Sequence, residues 1–274
     1  RRVLFRSQGH CEAQYSLGQK YTEDKSRHKD NGQAIFWLKK AALQGHTFAS
    51  NALGWTLDRG EDPNYKEAVA WYQIAAESGM SYAQNNLGWM YRNGNGVAQD
   101  YTLAFFWYKQ AALQGHSDAQ NNLADLYEDG KGVAQNETLA AFWYLKSAQQ
   151  GNRHAQFQIA WDYNAGEGVD QDYKQAMYWY LKAAAQGSVG AYVNIGYMYK
   201  HGQGVEKDYQ AAFEWFTKAA ECNDATAWYN LAIMYHYGEG RPVDLRQALD
   251  LYRKVQASGT RDVSQEIREI EDLL

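Results

Sequence analysis

The chain has 274 residues, of which 45% are hydrophobic and 15% aromatic, and its formal net charge at pH 7 is −5. So mild an acidic balance gives no reason to expect nucleic-acid binding or a polybasic membrane contact. The sequence has no run of about 18 apolar residues, so we expect no helix inserted in a membrane.

One glycine recurs along the chain at a nearly constant spacing, with intervals of 36 or 34 residues and a last interval of twice 36. Asn223 fills the one missing place. A fixed period of this size is typical of helical repeats that stack into a solenoid. The recurring glycines are Gly9, Gly45, Gly79, Gly115, Gly151, Gly187 and Gly259.

This period divides the chain into three predicted parts. Residues 1–9 are expected to end a preceding helix or a truncated upstream repeat. Residues 260–274 are expected to form a C-terminal capping helix, because Val263, Ile267, Ile270 and Leu274 fall on one apolar face. Residues 10–259 form the seven repeats, which are predicted at 10–45, 46–79, 80–115, 116–151, 152–187, 188–223 and 224–259.

Each repeat begins with a predicted helix that carries one apolar stripe. In the third repeat the stripe consists of Ala83, Leu87, Gly88 and Tyr91, at the spacing i, i+4, i+5 and i+8. The position of Gly88 holds Gly or Ala in every repeat. Because glycine inside a helix costs about 1 kcal/mol relative to alanine, we expect a second helix to approach closely there.

A glycine-rich loop and a second predicted helix complete each repeat. The loop Gly94–Val97 lacks the Lys-Ser/Thr of a phosphate-binding loop, and its recurrence favours a turn with glycines at positive φ. The second helix begins at an Asp or Asn that is expected to cap it, such as Asp100. Seven residues later, Trp107 and its counterparts are expected to be the large side chains that fill the space between helices.

These positions together resemble the Sel-one-like repeat, a relative of the tetratricopeptide repeat, over about residues 10–259. The resemblance implies an all-α fold, a right-handed α/α superhelical solenoid of seven helix-turn-helix repeats with a C-terminal capping helix. It also implies an adaptor that binds proteins or peptides. The residues of the third repeat that match the family pattern are Ala83, Leu87, Gly88, Met90, Tyr91, Gly94, Gly96, Val97, Asp100, Ala104, Trp107, Ala111, Ala112 and Gly115.

Candidate binding residues lie on the first helix of each repeat, on the face opposite the apolar stripe. Large aromatic residues and asparagines recur two residues after and two residues before the Leu or Ile of the stripe, and a few charged residues follow. In related folds this face lines a concave groove, and aromatic anchors are common at binding hot spots. The alternative is that these aromatics pack between neighbouring first helices. The predicted site residues are Asn51, Trp55, Arg59, Asn85, Trp89, Arg92, Asn121, Asp125, Phe157, Trp161, Tyr197 and Tyr229.

Three functional hypotheses follow from the sequence. The first is a non-catalytic adaptor that binds a protein or an extended peptide in the groove; the second is carbohydrate binding by an aromatic ladder; the third is a scaffold that assembles through its ends or edges. No catalytic motif, cofactor or metal set is recognised, so we expect no enzyme activity. A monomer is favoured. Two isolated cysteines fit a bacterial cytoplasm, and a periplasmic or secreted location requires a signal upstream of this chain.

Overall fold

The computed structural model describes residues 10–22, 30–60 and 62–274 of the chain. The predicted end of a preceding repeat, at residues 1–9, lies outside this part. The described residues form 15 α-helices and no strands. In chain order these are α1 (Cys11–Thr22), α2 (Asn31–Ala42), α3 (Thr47–Asp58), α4 (Tyr65–Glu77), α5 (Ser81–Asn93), α6 (Tyr101–Leu113), α7 (Ser117–Asp129), α8 (Glu137–Gln149), α9 (Arg153–Ala165), α10 (Tyr173–Ala185), α11 (Val189–His201), α12 (Tyr209–Glu221), α13 (Ala225–Tyr237), α14 (Leu245–Ser258) and α15 (Ser264–Glu271).

The helices pack as sequential hairpins within two compact units, Arg1–Trp143 and Tyr144–Leu274. In the first unit α1 packs on α2, α3 on α4 and α5 on α6. In the second unit α9 packs on α10, α11 on α12 and α13 on α14. The fold is the all-α solenoid of seven helix-turn-helix repeats and a C-terminal helix that the period predicts.

The small position of the first helix is where the aromatic ring of the second helix comes close. A Cβ atom added at Gly88 would lie 2.8 Å from ring atoms of Tyr108, and one added at Gly196 would lie 2.8 Å from the Phe216 ring. The close approach inferred from the sequence is therefore present, and it accounts for glycine in the middle of these helices.

In six of the seven second helices the most deeply buried large side chain is an aromatic residue, which stands directly after the position of the recurring tryptophan; in the first repeat Leu38 takes this place. These residues are 1% exposed or less, whereas Trp71 and Trp107 only pack partly buried against the core. The expectation that tryptophan is the main space-filling residue is corrected: the side chain after it packs against the small position, and of the recurring tryptophans Trp179 alone is buried, at 7% exposed. The buried rings are Tyr72, Tyr108, Tyr144, Tyr180, Phe216 and Tyr252.

The helix ends follow the predicted chemistry. The Asp100 carboxylate accepts backbone N–H bonds from Thr102 at 2.8 Å and from Leu103 at 2.9 Å, and the corresponding Asp or Asn of every other repeat likewise accepts a backbone N–H. Asn223 has a φ of 62° and is the one described non-glycine residue in the left-handed region. It thus adopts the conformation that glycine provides in the other repeats.

The terminal helix α15 packs on α14 through Val263 and Ile270, which are fully buried, and through the partly buried Ile267. Leu274 was predicted to share this face, but it follows the end of the helix and is 61% exposed. The capping contact is therefore shorter than the sequence pattern indicates.

Candidate functional site

Each of the two units has large aromatic side chains exposed to solvent on its first helices, and these residues are called the strip. In the first unit Trp55 is 45% exposed and Trp89 is 41% exposed; in the second unit Trp161 is 43% exposed and Tyr197 is 47% exposed. Each of these residues lies two positions after the buried Leu or Ile of its helix, where the sequence predicts the face opposite the core.

The three indoles of this strip have no aromatic partner in the part of the chain that the structure describes. Among the described residues, no other ring packs against Trp55, Trp89 or Trp161, and the Arg59 guanidinium lies 5.8 Å from the Trp55 ring centre. Tyr197 differs, because the His201 ring lies 4.1 Å away from it. These three tryptophans are therefore partly exposed indoles on which no other described aromatic ring packs.

The asparagines join neighbouring repeats in the first unit. The Asn86 side-chain amide donates to the Asn51 carbonyl oxygen at 3.1 Å, and the Asn122 amide donates to Asn85 at 3.0 Å. Asn121 is only 8% exposed. The predicted site residues Asn51 and Asn85 thus lie in the seams between first helices, because each helix has a neighbouring repeat beside it as well as a core beneath it, and Asn121 is buried.

Two charged residues predicted for the first unit form an ion pair with each other. The Arg92 guanidinium lies 3.0 Å from the Asp125 carboxylate, and the two side chains are 27% and 17% exposed. Burial acts to lower the pKa of Arg92, but the hydrogen bond and charge of Asp125 outweigh it and raise the pKa overall. Arg59, in contrast, is exposed and lies 3.8 Å from Asp58.

The second unit contains a groove with a volume of about 690 Å³ along the same face. Three predicted site residues line it, Trp161, Tyr197 and Tyr229, and these come from three successive first helices. The segment between α14 and α15 also contributes, through Thr260 and Arg261. Sequence reasoning missed this segment because it lies outside the repeat period.

Two further aromatic residues of the second unit are more strongly packed. The Phe157 ring lies 5.7 Å from the buried Tyr180 ring and covers Gly190, where an added Cβ would come within 2.9 Å of it. Tyr229 lies 6.0 Å from the Tyr252 ring. Phe157 therefore belongs to the packing between repeats, whereas Tyr229 contributes both to that packing and to the groove.

The charges of the groove are mainly basic. Lys200 Nζ lies 2.7 Å from a Glu239 carboxylate oxygen. The Arg261 guanidinium lies over the Tyr229 ring, 4.0 Å from its centre. Burial lowers the pKa of the His201 imidazole, and Lys200 adds to this, so His201 is neutral near pH 7.

Two histidines of the first unit, each directly after a recurring glycine, cap the helix that follows. His46 Nδ1 accepts the Ala49 backbone N–H at 3.1 Å, and His116 Nδ1 accepts the Ala119 N–H at 3.3 Å. Burial lowers the pKa of His116, against an opposing effect of Asp118.

Two other kinds of site are absent from the described residues. No helix within residues 10–22, 30–60 and 62–274 is both long and apolar enough to cross a membrane. No group of three His, Cys, Asp or Glu side chains in the described ranges is placed to hold a metal ion.

Comparison with known proteins matches the Sel1 repeat to seven consecutive stretches, at residues 11–46, 47–80, 81–116, 117–152, 153–188, 189–224 and 225–254. A segment of 78 residues is 96% identical to the Sel1-repeat-containing protein YbeQ of Escherichia coli K12, covering 28% of this chain and 24% of that protein.

Two solved structures are similar over most of the chain. A protective antigen present in uropathogenic Escherichia coli strains, c5321, is 34% identical with a TM-score of 0.86, over 94% of this chain and 56% of the antigen. A Sel1 repeat protein from Oxalobacter formigenes is 32% identical with a TM-score of 0.72, over 78% of this chain and 86% of that one. This chain therefore spans a little over half of the antigen.

Proposed function

The chain belongs to the Sel1 repeat family, and we propose that it is a non-catalytic adaptor that binds an extended segment of a partner protein along its first helices. The observation that carries the proposal is the strip of exposed aromatic residues, above all Trp55, Trp89 and Trp161, whose ring faces have no aromatic partner in the described chain. Burying one such side chain in a complex contributes about 1.5–3 kcal/mol.

The spacing of the strip suits an extended chain. Packed helices lie about 8–10 Å apart, and an extended peptide rises about 3.3 Å per residue. Neighbouring repeats therefore offer one aromatic platform for about every three residues of the bound segment. Trp55 and Trp89 form such a pair in the first unit, and Trp161 and Tyr197 form one in the second.

The proposed site is narrower than the one drawn from the sequence. Asn51 and Asn85 are assigned to the seams between repeats, Phe157 to internal packing, and Asn121 is left out because it is buried. Arg92 and Asp125 neutralise each other. The residues retained as contacts in the proposal are Trp55, Arg59, Trp89, Trp161, Tyr197 and Tyr229.

The test is selection of a displayed library of random 12-residue peptides against the protein, followed by affinity measurements on individual peptides. We expect selected peptides to contain aromatic or aliphatic residues about three positions apart. Trp89→Ala or Trp161→Ala is expected to weaken binding at least tenfold while leaving the melting temperature within a few degrees of wild type, because both side chains are over 40% exposed.

Matched controls are available on the second helices. Phe106 is 47% exposed and Tyr178 is 49% exposed, close to the values of the strip, but both lie on the other helix of their repeats. Phe106→Ala and Tyr178→Ala are expected to leave affinity unchanged. Peptides that bind equally to all four variants, or a failure to select any binder, contradict the proposal.

The same variants distinguish carbohydrate binding from peptide binding. Exposed indoles also stack on sugar rings, so a glycan array probed with wild type and with Trp161→Ala distinguishes the two ligands. Glycan binding that disappears in Trp161→Ala, in the absence of peptide binding, would favour the carbohydrate hypothesis over the adaptor.

A further inference from the structure

We infer that the groove of the second unit accepts an acidic side chain of the bound segment, with Arg261 as the residue that pairs with its carboxylate. The inference rests on the proposed function and adds the chemistry of the partner. Among the described residues that line the groove, three are basic, Lys200, His201 and Arg261, and none is Asp or Glu.

The three basic residues are not equivalent, because within the described residues Arg261 alone is charged and has no ionic partner. Lys200 is 11% exposed and is neutralised by Glu239 at 2.7 Å. His201 is held neutral near pH 7 by burial and by the nearby Lys200 and Lys207, against an opposing effect of Glu239. Arg261 is exposed and pairs with no carboxylate in the described chain.

The contact of Arg261 with Tyr229 gives this charge a defined position. The guanidinium carbon lies 4.0 Å from the centre of the Tyr229 ring. A guanidinium that stacks on a ring through its face keeps its edge N–H groups available, and these match the two oxygens of a carboxylate. The tyrosine thus positions the guanidinium before any ligand binds, so less side-chain conformational entropy is lost on binding.

The surroundings of Arg261 favour an acidic peptide over a small anion. Trp161 and Tyr197 line the same groove and offer apolar surface beside the charge. A free phosphate or acetate leaves that surface uncovered, whereas an extended segment places apolar side chains on it. The expected recognition element is an Asp or Glu with an aromatic or aliphatic residue about three positions away.

The peptides obtained by display selection provide the probe. The affinity of an acidic selected peptide is measured by fluorescence anisotropy, together with that of the same peptide carrying Gln or Asn in place of its acidic residue. Arg261→Gln is expected to weaken binding of the acidic peptide about tenfold and that of the amide peptide less than about twofold. Arg261→Glu is expected to reverse the preference, so that a peptide with Lys at that position binds more tightly than the acidic one.

Lys218 provides the matched control. Its ammonium group lies 3.9 Å from the Trp215 ring centre, so it is also a cation over an aromatic face, but it is not among the residues that line the groove. Lys218→Gln lowers the net charge by the same amount and is expected to leave both peptides unaffected. An equal loss in Lys218→Gln and Arg261→Gln would reduce the effect to general electrostatic attraction and overturn the inference.

The outcomes separate the two proposals. Peptides that depend on Trp161 but bind Arg261→Gln as tightly as wild type would refute the acidic partner and leave the adaptor function standing. Peptides that bind without dependence on Trp161 or Tyr197 would refute both. Melting curves of each variant check the fold; Arg261→Lys, which keeps the charge but not the planar fork, is expected to bind with intermediate affinity.

Discussion

Gly96 lies in the loop between α5 and α6, and within the third repeat it is the glycine whose replacement by alanine is expected to lower stability most. Its φ is 73°, and a Cβ atom there would lie 2.5 Å from both the carbonyl carbon and the oxygen of Tyr65. These are backbone atoms at the start of α4, so they cannot rotate away as a side chain does. The added methyl group of Gly96→Ala must therefore displace the loop and weaken its contact with Tyr65 of the preceding repeat.

The magnitude follows from comparison with two other glycines of the same unit. Gly115 has a φ of 88° and no atom within 4 Å of an added Cβ, so Gly115→Ala should cost only the left-handed conformation, about 1–2 kcal/mol. Gly94 has a φ of 72° and a nearest contact of 3.3 Å, to Gln99 Cβ, and should cost slightly more. Gly96→Ala adds an unrelieved backbone overlap, about 1–3 kcal/mol by analogy with overpacked cores, for a total of about 2–5 kcal/mol.

The assay is urea unfolding of the three variants, followed by circular dichroism. Each is compared with wild type at constant m-value, because repeats can unfold separately and a changed slope would mark loss of two-state behaviour. The expected order of destabilisation is Gly96→Ala, then Gly94→Ala, then Gly115→Ala. If Gly96→Ala and Gly115→Ala cost the same, the contact with Tyr65 is not what requires glycine, and the reasoning from close approach fails.

Three further predictions concern caps and charges. Asp100→Ala should cost about 1 kcal/mol of unfolding free energy, and Asp100→Asn much less, because the amide oxygen still accepts the backbone N–H groups. The losses of unfolding free energy in Arg92→Ala and Asp125→Ala should add up to about 1 kcal/mol more than the loss in the double variant, which is the coupling energy of the ion pair. A coupling energy of zero would show that the ion pair does not stabilise the fold. The folded pKa of His116 lies below its unfolded value of about 6.5, so its contribution is complete above pH 6.5 and is lost as the pH falls through the folded pKa. His116→Asn, which copies the Asn152 cap of the fifth repeat, should flatten the dependence of melting temperature on pH between 7 and 5, and an unchanged slope would contradict this.

Most of the fold was readable from the sequence because each structural requirement recurs in phase. One Asp at a helix start is ambiguous, whereas Asp100 and its six counterparts at one repeat position specify a cap. The same logic assigned Asn223 to a place otherwise held by glycine, and its φ of 62° agrees with that assignment. The seven repeats can thus be compared with one another, which gives the kind of information that an alignment of related proteins otherwise provides.

The side chains of the seams were less predictable. The angle of a residue around its own helix separates the core face from the opposite face, but it does not locate the neighbouring repeat. Asn85 lies 160° from Leu87 by this count and so seemed free, yet it accepts a hydrogen bond from Asn122 of the next repeat. The burial of Tyr108 is not predicted for a simpler reason. The adjacent Trp107 is larger, so the space-filling role is assigned to it, although the tyrosine recurs with the same period.

Arg261 was missed because it occurs once and outside the period. Repeat phase identifies scaffold residues, and a contact specific to one partner is by nature not repeated. Only the position of the segment between α14 and α15 beside Tyr229 brings Arg261 to the groove.

Exposed aromatic rings occur on both helices of the repeats, so exposure alone does not identify the binding face. On the second helices each exposed ring has an intramolecular use: Phe106 lies edge-on to Trp107 at 4.9 Å, and Tyr178 to Trp179 at 4.9 Å. Such pairs add about 0.5–1.5 kcal/mol to the stability of the fold, which gives them a reason to persist without a ligand. No ring in the described ranges makes a comparable contact with Trp89 or Trp161. An exposed indole that contributes no such contact to its own fold is best explained by a contact with another molecule, and for that reason the proposal rests on the first helices.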